Sequence, residues 1–197
     1  PLGVAAPPGD PDRTASVSGR PAVGIDLLLT DADGKPLGEQ REAEGHLRVR
    51  GPTVVERYFG DAGPATDAAG WFDTGDLARI DRHGNLSITG RSKDLIKSGG
   101  EWINPNEIET LVAALPAVSQ AAVIGRPHPK WGERPILLVE LGEDDAVSDD
   151  ALLEPLRGRV ASWCIPDEIV RVAAMPLGPT GKIDKLTLRS EYGRAPG

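Results

Sequence analysis

The stretch GRSKDLIKSGGEWINPNEIE (Gly90–Glu109) contains the point at which a strand pattern ends and a helix begins. Its segment Asn104–Glu107 is typical of a helix start, because Asn can cap the first turn, Pro is preset for the first helical position and Glu can reach back to the cap amide. Apolar residues then recur at helical spacing, at Ile108, Leu111, Val112 and Leu115. The chain therefore changes here from a β-rich half to a half that contains helices.

Upstream of this stretch, short apolar runs between turn residues predict β-structure. Val23–Leu29 is a compact apolar run that predicts a buried strand, and Gly45–Val54 alternates apolar and basic side chains as a half-exposed strand does. Asp76–Gly90 predicts two strands joined by a His-Gly-Asn turn. At most one short helix is expected, near Val55–Phe59. Residues 1–90 therefore form a β-rich piece.

Downstream, strands and helices alternate. Strands are predicted at Val118–Gly125, Ile136–Leu141 and Ile169–Ala173. Ser148 predicts the start of a second helix, whose buried stripe would run from Leu152 to Trp163. Asp184–Tyr192 predicts a short final helix. Residues 91–197 therefore form a small α+β domain, and the fold class of the whole chain is mixed α/β.

Composition restricts the classes of function. The 197 residues carry a net charge of −8, and no Lys/Arg-rich run stands out, which argues against nucleic acid as a partner. Cys164 is the only cysteine, so an internal disulfide is excluded and we expect a reducing, cytoplasmic compartment. No apolar run approaches the roughly 20 residues of a membrane-spanning helix. The composition is that of a loop-rich globular chain, and it leaves the oligomeric state open.

The segment GWFDTGD (Gly70–Asp76) places two carboxylates beside glycines, outside any regular element. Glycines let a ligand approach the backbone, and a fixed carboxylate can accept hydrogen bonds from the two vicinal hydroxyls of a ribose. Alternatively, Asp73 and Asp76 only stabilise turns by accepting from their own backbone. Both interpretations remain open from composition.

Cations and glycines in Gly90–Glu109 could also bind a ligand. Arg91 could donate both arms of its guanidinium to a phosphate or ribose, whereas Lys93 and Lys97 would act as point charges. The pair Gly99–Gly100 could let an extended ligand lie against bare backbone. The alternative is a solvated β-hairpin with a flexible tip.

A third motif is GPTGKIDK (Gly178–Lys185), in which Lys182 lies on a glycine-containing loop just before a helix. Lys182 could stabilise the negative charge that a carboxylate shares with an attacked α-phosphate. The alternative is an exposed loop lysine. The three histidines are too scattered for a metal site, so we predict no metal site in the chain.

The order and spacing of three motifs add information that each lacks alone. GWFDTGD, then GNLSITGRSKDLIKSGGEWINPNEIE, then IPDEIVRVAAMPLGPTGKIDKLTLR resemble the closing half of the AMP-forming acyl-CoA synthetases, a family that includes firefly-type luciferases and peptide-synthetase adenylation domains. The resemblance covers nearly the whole chain, from ERYFGD through the final helix. It implies that residues 1–90 are the barrel-like last part of a large AMP-binding domain, that 91–197 are a mobile C-terminal domain, and that the hinge lies near 90–93.

The resemblance also implies a reaction and its cofactors. Family members join a carboxylic acid to ATP, giving acyl-AMP and pyrophosphate, and CoA then displaces AMP after the small domain rotates. ATP/AMP, CoA and Mg²⁺ are therefore the expected cofactors. Residue roles follow by motif: Asp76 binds the ribose, Arg91 contacts the AMP side, Lys93 is the hinge and Lys182 is the adenylation lysine. Lys97, Ser98, Gly99, Gly100 and Glu101 form the face presented in the thioester step, with Gly100 beside the pantetheine tunnel.

The motif KSGGEWI resembles medium- or long-chain acyl-CoA synthetases more than acetyl-CoA synthetases. The family's phosphate loop and its Thr-Glu motif, which helps to hold magnesium, do not occur in the sequence. We therefore expect a C-terminal fragment that is inactive alone, with the metal ligand outside it. Two alternatives stay open: an adenylation domain that loads a carrier protein, and a stand-alone nucleotide- or CoA-binding or regulatory module.

Overall fold

The computed structural model describes residues 4–5, 17–142 and 147–194. The chain divides into two compact units, Pro1–Lys93 and Asp94–Gly197. Antiparallel sheets dominate both, and helices occur among the described residues of the second unit together with one parallel strand pair. The predicted mixed α/β class is confirmed.

The first unit is built on an antiparallel sheet. Its strands are β1 (Val4–Ala5), β2 (Arg20–Pro21), β3 (Asp26–Thr30), β4 (Ala43–Arg50), β5 (Phe72–Ile80) and β6 (Leu86–Arg91). β1 pairs with β2, and the larger sheet has the order β3-β4-β5-β6. Alternate residues of these strands form one core, made of Leu29, Leu47, Ala78, Ile80 and Leu86.

One strand predicted for this unit begins later in the chain than expected. The strand predicted from Val23 begins only at Asp26, because Gly24 adopts a φ of +82° and turns the chain, leaving Val23 fully exposed. Val55–Phe59, where at most one short helix was expected, forms no helix. This segment lies between Gly51 and Gly60, which both have positive φ, so it is too short to overcome the cost of helix nucleation.

The second unit contains a hairpin, a longer sheet and three helices within its described residues. Its elements are β7 (Ile96–Ser98), β8 (Glu101–Ile103), α1 (Pro105–Ala113), β9 (Val118–His128), β10 (Gly132–Leu141), α2 (Asp149–Leu153), β11 (Glu168–Arg171) and α3 (Lys185–Tyr192). β10 is central: it pairs antiparallel with β9, parallel with β11, and meets β7 at Gly132. β7 pairs with β8.

Both faces of β10 are buried, which explains its continuous apolar run. Leu137 and Val139 belong to a core with residues of α1 and α2, whereas Ile136 and Leu138 belong to a second core with Met175 of the following loop and a leucine of α3. The apolar sides of α1 and α2 therefore pack on one face of the sheet, and that of α3 packs on the other face.

The caps predicted for the helices are present. The Asn104 side chain accepts from the backbone N–H of Asn106 at 3.1 Å and caps α1. Ser148 caps α2, but the second helix does not reach Trp163 as predicted. Pro155 lies in a short 3₁₀ turn and Gly158 has a φ of +72°, so the chain leaves the helix and Trp163 is 48% exposed.

Candidate functional site

Asp76 and Arg91 were predicted from two separate motifs to bind the nucleotide. They lie opposite each other on the neighbouring strands β5 and β6. They are partners in the strand register, and Arg91 Nε lies 2.9 Å from Asp76 Oδ1. The Asp76 side chain is 19% exposed and that of Arg91 is 54% exposed. The structure therefore brings the two predicted nucleotide-binding residues together as one charged, partly accessible pair.

A β-bulge sets the direction of Asp76. Thr74–Asp76 lie opposite the single residue Leu47 of β4, and Gly75 takes a φ of +69° within the bulge. The Thr74 hydroxyl donates to the Leu47 carbonyl at 3.0 Å and accepts from the Asp76 N–H at 3.1 Å. Bulges redirect side chains in this way and are common beside active sites. The prediction that GWFDTGD lies outside any regular element is wrong for residues 72–76, because β5 includes them.

The two aspartates of this motif differ in what they contact. The Asp73 carboxylate accepts from the N–H of Gly75 at 2.8 Å, as expected for a residue that stabilises a turn. The Asp76 carboxylate instead pairs with Arg91. The turn-stabilising interpretation therefore fits Asp73, and ribose binding by Asp76 stays a prediction.

The residues predicted for the thioester step lie on the hairpin of β7 and β8. Ile96 and Ile103 are buried and anchor its base, and Gly99 and Gly100 form its turn with φ values of +61° and +94°. Consecutive positive φ values are the requirement of a tight two-residue hairpin turn, which glycine meets without strain. The hairpin interpretation and the binding interpretation are thus compatible, since a rigid turn can present bare backbone to a ligand.

Side chains of the hairpin divide between its two faces. Lys97 pairs across the strands with Trp102, and its ammonium lies 5.2 Å from the centre of that ring. On the other face, Ser98 is 4% exposed and its hydroxyl accepts from Arg134 at 3.1 Å. Glu101, the register partner of Ser98, is exposed.

Beside this second face lies a cleft of about 440 Å³. Its lining residues are Ser98, Gly99, Glu101, Trp131, Arg134, Ser162, Trp163 and Asp167. The Gly99 N–H donates to the Trp131 carbonyl at 2.8 Å, and the Trp131 and Trp163 side chains are 43% and 48% exposed. Large aromatic side chains with this exposure can stack on a planar or apolar ligand group.

Arg134 holds the walls of the cleft in place. Its guanidinium donates to both carboxylate oxygens of Asp167, at 2.8 and 2.7 Å, and to the backbone carbonyls of Trp163 and Ile165, at 2.6 and 3.1 Å. The hydrogen bond from Arg134 lowers the pKa of Asp167, and the hydrogen bond to Asp167 raises the pKa of Arg134. The neighbouring Cys164 has a raised pKa, because burial disfavours its thiolate, which fits an inert thiol.

Sequence reasoning missed Trp131, Trp163 and Arg134. Trp131 lies in the segment HPKWGERP, where a tryptophan beside glycine in a turn is a usable signal of an exposed aromatic side chain. Trp163 was assigned to the buried stripe of the second helix, which ends before it. No local sequence pattern predicts the role of Arg134 in the cleft, because its partners Ser98 and Asp167 are distant in sequence.

Lys182 lies on a tightly hydrogen-bonded loop between β11 and α3. The Gly178 N–H donates to the Lys182 carbonyl at 2.8 Å, the Gly181 N–H donates to the Gly178 carbonyl at 2.9 Å, and Gly181 has a φ of +75°. The Lys182 side chain is exposed. The arrangement presents an ammonium group from a fixed backbone, as electrostatic stabilisation of a developing charge requires.

Lys93, the predicted hinge residue, is exposed and lies in the 3₁₀ turn Ser92–Asp94 directly after β6. Within the described ranges, no group of three or more His, Cys, Asp or Glu side chains is placed to hold a metal ion. No helix in the described part of the chain is long and apolar enough to span a bilayer.

Comparisons with known proteins agree with the resemblance seen in the motifs. Residues 107–182 match the family described as the AMP-binding enzyme C-terminal domain. The chain is 45% identical to 3-methylmercaptopropionyl-CoA ligase of Ruegeria pomeroyi, a match that covers 88% of the chain and 32% of that protein. It is 39% identical to the medium-chain-fatty-acid–CoA ligase of Ectopseudomonas oleovorans, covering 93% of the chain and 34% of that protein.

Among solved structures, ATP-bound MatB from Rhodopseudomonas palustris superimposes with a TM-score of 0.84 at 33% identity, over 93% of the chain and 37% of MatB. The fold, the motifs and these matches place the chain among the adenylate-forming enzymes. Within that class, residues 107–182 match the AMP-binding enzyme C-terminal domain, and the two curated relatives that the chain resembles are CoA ligases. The chain spans about a third of the length of the curated relatives it matches.

Proposed function

We propose that this chain is the C-terminal part of an ATP-dependent acid–CoA ligase. The observation that carries the proposal is the Lys182 loop, whose hydrogen-bonded backbone presents an exposed ammonium directly before α3. The relatives named above are CoA ligases, and the matched MatB structure contains ATP. These matches support ATP as the activating nucleotide and CoA as the acceptor.

In the first half-reaction, an oxygen of the acid's carboxylate attacks the α-phosphorus of ATP. The new O–P bond gives acyl-AMP, and the bond from the α-phosphorus to the bridging oxygen breaks to release pyrophosphate. Lys182 stabilises the negative charge that the carboxylate and the α-phosphate share in the transition state. Asp76 accepts hydrogen bonds from the ribose hydroxyls, and Arg91 contacts the AMP side of the same site.

In the second half-reaction, the CoA sulfur attacks the acyl carbonyl. A C–S bond forms, the C–O bond to AMP breaks, and the thiol proton passes to solvent. The face made of Lys97, Ser98, Gly99, Gly100 and Glu101 lies beside the pantetheine arm in this step. A Cβ built at Gly100 would meet no atom within 4 Å, so there is open space beside this residue for a ligand to pass.

Mg²⁺ would neutralise phosphate charge in the first half-reaction, and we propose that its ligands lie outside the residues described here, which contain no fitting cluster. We further propose a medium- or long-chain fatty acid as substrate, on the basis of KSGGEWI and the medium-chain relative. A panel of acids of increasing chain length, with 3-methylmercaptopropionate included, tests this choice. The chain alone should release no pyrophosphate with any acid.

Two variants of the full-length ligase test the assignment of the two half-reactions. Lys182→Ala should abolish pyrophosphate release but retain thioester formation from supplied acyl-AMP. Gly100→Leu should do the reverse, because a side chain there would obstruct the pantetheine arm. Lys35→Ala, which removes an exposed lysine from a turn of the first unit, is the control for loss of a charge. Equal loss of both half-reactions in either variant would contradict its role.

A further inference from the structure

Two cations on one side of α3 are paired with carboxylates from other segments of the second unit. Lys185 Nζ lies 2.7 Å from Glu109 Oε1 of α1, and Arg189 Nη2 lies 2.7 Å from Asp94 Oδ1. Residues four apart lie one helical turn apart on the same side of a helix. Both ends of this side of α3 are therefore attached to the rest of the unit.

The pair of Lys185 and Glu109 is largely withdrawn from solvent. The two side chains are 18% and 15% exposed, whereas those of the surface pair Arg157–Asp150 are 55% and 88% exposed. Removing one partner of a buried pair leaves an uncompensated charge, so such a pair constrains geometry more than a surface pair does. Burial thus distinguishes Lys185–Glu109 as a fixed contact.

Glu109 has a second partner that fixes its own position. Its Oε1 atom accepts from the backbone N–H of Val123 in β9 at 2.6 Å. β9 pairs only with β10 among the described strands, so this N–H lies on the open edge of the sheet. One carboxylate therefore joins α1, β9 and α3.

The position of α3 determines the position of Lys182. Lys182 precedes Lys185 by three residues, and between them Asp184 caps α3 by accepting from the N–H groups of Leu186 and Thr187 at 3.0 and 3.3 Å. The Asp184 N–H also donates to the Pro176 carbonyl at 2.8 Å, which closes the loop at its base. Because these hydrogen bonds hold the short segment between Lys182 and Lys185, a shift of the first turn of α3 would move the Lys182 backbone.

We propose that Glu109 and Lys185 are positioning residues for Lys182: their ion pair fixes the first turn of α3 and thereby aligns the Lys182 ammonium with the reacting phosphate. This inference rests on the proposed role of Lys182. The pair does not touch substrate, and its effect is on alignment alone. A misplacement of about 1 Å at a reacting centre can cost about 10²-fold in rate.

Lys185→Met and Glu109→Gln in the full-length ligase test the proposal. Each should lower kcat for pyrophosphate release by about 10- to 100-fold with little change in KM for the acid. Thioester formation from supplied acyl-AMP should be unchanged, because Lys182 is not used there. The double variant should be no slower than either single variant, since both act through one contact. Lys185→Arg should restore most of the rate by keeping the cation.

Arg157→Met is the control, because it removes the two exposed ion pairs that Arg157 makes with Asp150 and Glu154 in the same unit. Loss of both half-reactions in parallel with a lower melting temperature would show that the pair only maintains the fold and would overturn the proposal. If Lys182→Ala abolishes adenylation but Lys185→Met leaves kcat unchanged, the positioning proposal alone fails. If Lys182→Ala leaves adenylation intact, the proposed function of Lys182 fails, independently of the ion pair.

Discussion

Gly99 lies directly against the ring of Trp131, where a Cβ on Gly99 would be 2.9 Å from the ring atom Cε3. Gly100, the next residue, has the same sign of φ but open space around it. The two glycines of this turn therefore differ in why a side chain is unfavourable: backbone conformation alone in one case, and conformation together with a contact in the other. Gly100 needs glycine for its backbone conformation, whereas Gly99 needs it for conformation and for contact with Trp131.

Gly99→Ala and Gly100→Ala should consequently destabilise the second unit by different amounts. A left-handed conformation costs a residue with a Cβ about 1–2 kcal/mol, and this is the full cost expected at Gly100. Gly99→Ala adds overpacking against Trp131, typically about 1–3 kcal/mol more. Urea unfolding followed by circular dichroism measures both. Equal destabilisation by the two variants would show that the Trp131 contact is unimportant.

Asp76 should be the ribose anchor of the nucleotide site, held in position by Arg91. In the full-length ligase, Asp76→Ala should weaken ATP binding by about 10- to 100-fold, because a charged hydrogen bond contributes about 1.5–3 kcal/mol. The same change should barely affect binding of 2′,3′-dideoxy-ATP, which lacks the hydroxyls. Isothermal titration of both nucleotides measures the difference.

Arg79→Met is the control for that experiment, since it removes a charged side chain of the same strand, β5, whose 3.9 Å pair with Glu42 is exposed on both sides. Equal loss of affinity for ATP and for the dideoxy analogue in Asp76→Ala would rule out a ribose contact. The carboxylate would then act on the nucleotide by charge alone.

Local patterns in the sequence were sufficient to predict many of the helices and strands of this fold. Asn104 and Ser148 cap the helices that they were predicted to cap, because a cap depends only on residues within the same turn. The apolar run Ile136–Leu141 predicted a strand for the same reason, and β10 includes it. Such features need no knowledge of distant partners.

Features that depend on distant partners could not be predicted. Asp76 faces Arg91 in a β5–β6 pairing whose register shifts between Leu77 and Ala78, and no local pattern specifies that register. The helical spacing from Leu152 to Trp163 predicted a buried stripe, but the breaks at Pro155 and Gly158 prevailed over that periodicity. Long-range contacts therefore determined the cleft that Trp163 and Arg134 line.

The pair of Arg134 and Asp167 should make stability depend on pH in the acid range. Arg134 lowers the pKa of Asp167 below its ordinary value of 3.8, so the unfolded chain binds a proton more readily than the folded chain. The stabilisation is fully present above that value and is lost as the pH falls through the lower pKa of the folded state. Because Asp167 is 50% exposed, solvent screening limits it to about 1 kcal/mol or less.

Asp167→Asn should therefore be less stable than the unchanged chain at neutral pH, and the difference should vanish at low pH. Urea unfolding at a series of pH values measures this convergence. Asp150→Asn, which removes a carboxylate that is 88% exposed, controls for the loss of one negative charge. A difference that stays constant down to the lowest pH would contradict the charge pairing and indicate a packing effect.

Lys93 lies between two residues that are each held by a side chain of their own unit. The Ser92 hydroxyl is 2.8 Å from Nδ1 of His46, in the first unit, and Asp94 pairs with Arg189 at 2.7 Å, in the second. Rotation between the units would then be concentrated at the backbone of Lys93, which supports the proposed hinge. Hinges of this kind are short segments whose φ and ψ absorb the whole change.

Lys93→Pro in the full-length ligase should slow the thioester step and spare the adenylation step. Proline fixes φ near −65° and restricts Ser92 before it, so the second orientation becomes harder to reach. Lys93→Ala removes the charge but leaves φ free, and it should preserve both steps. Single-turnover rates of pyrophosphate release and of thioester formation distinguish the two variants. Equal slowing of the thioester step by alanine and proline would assign the effect to the ammonium group and place the hinge elsewhere.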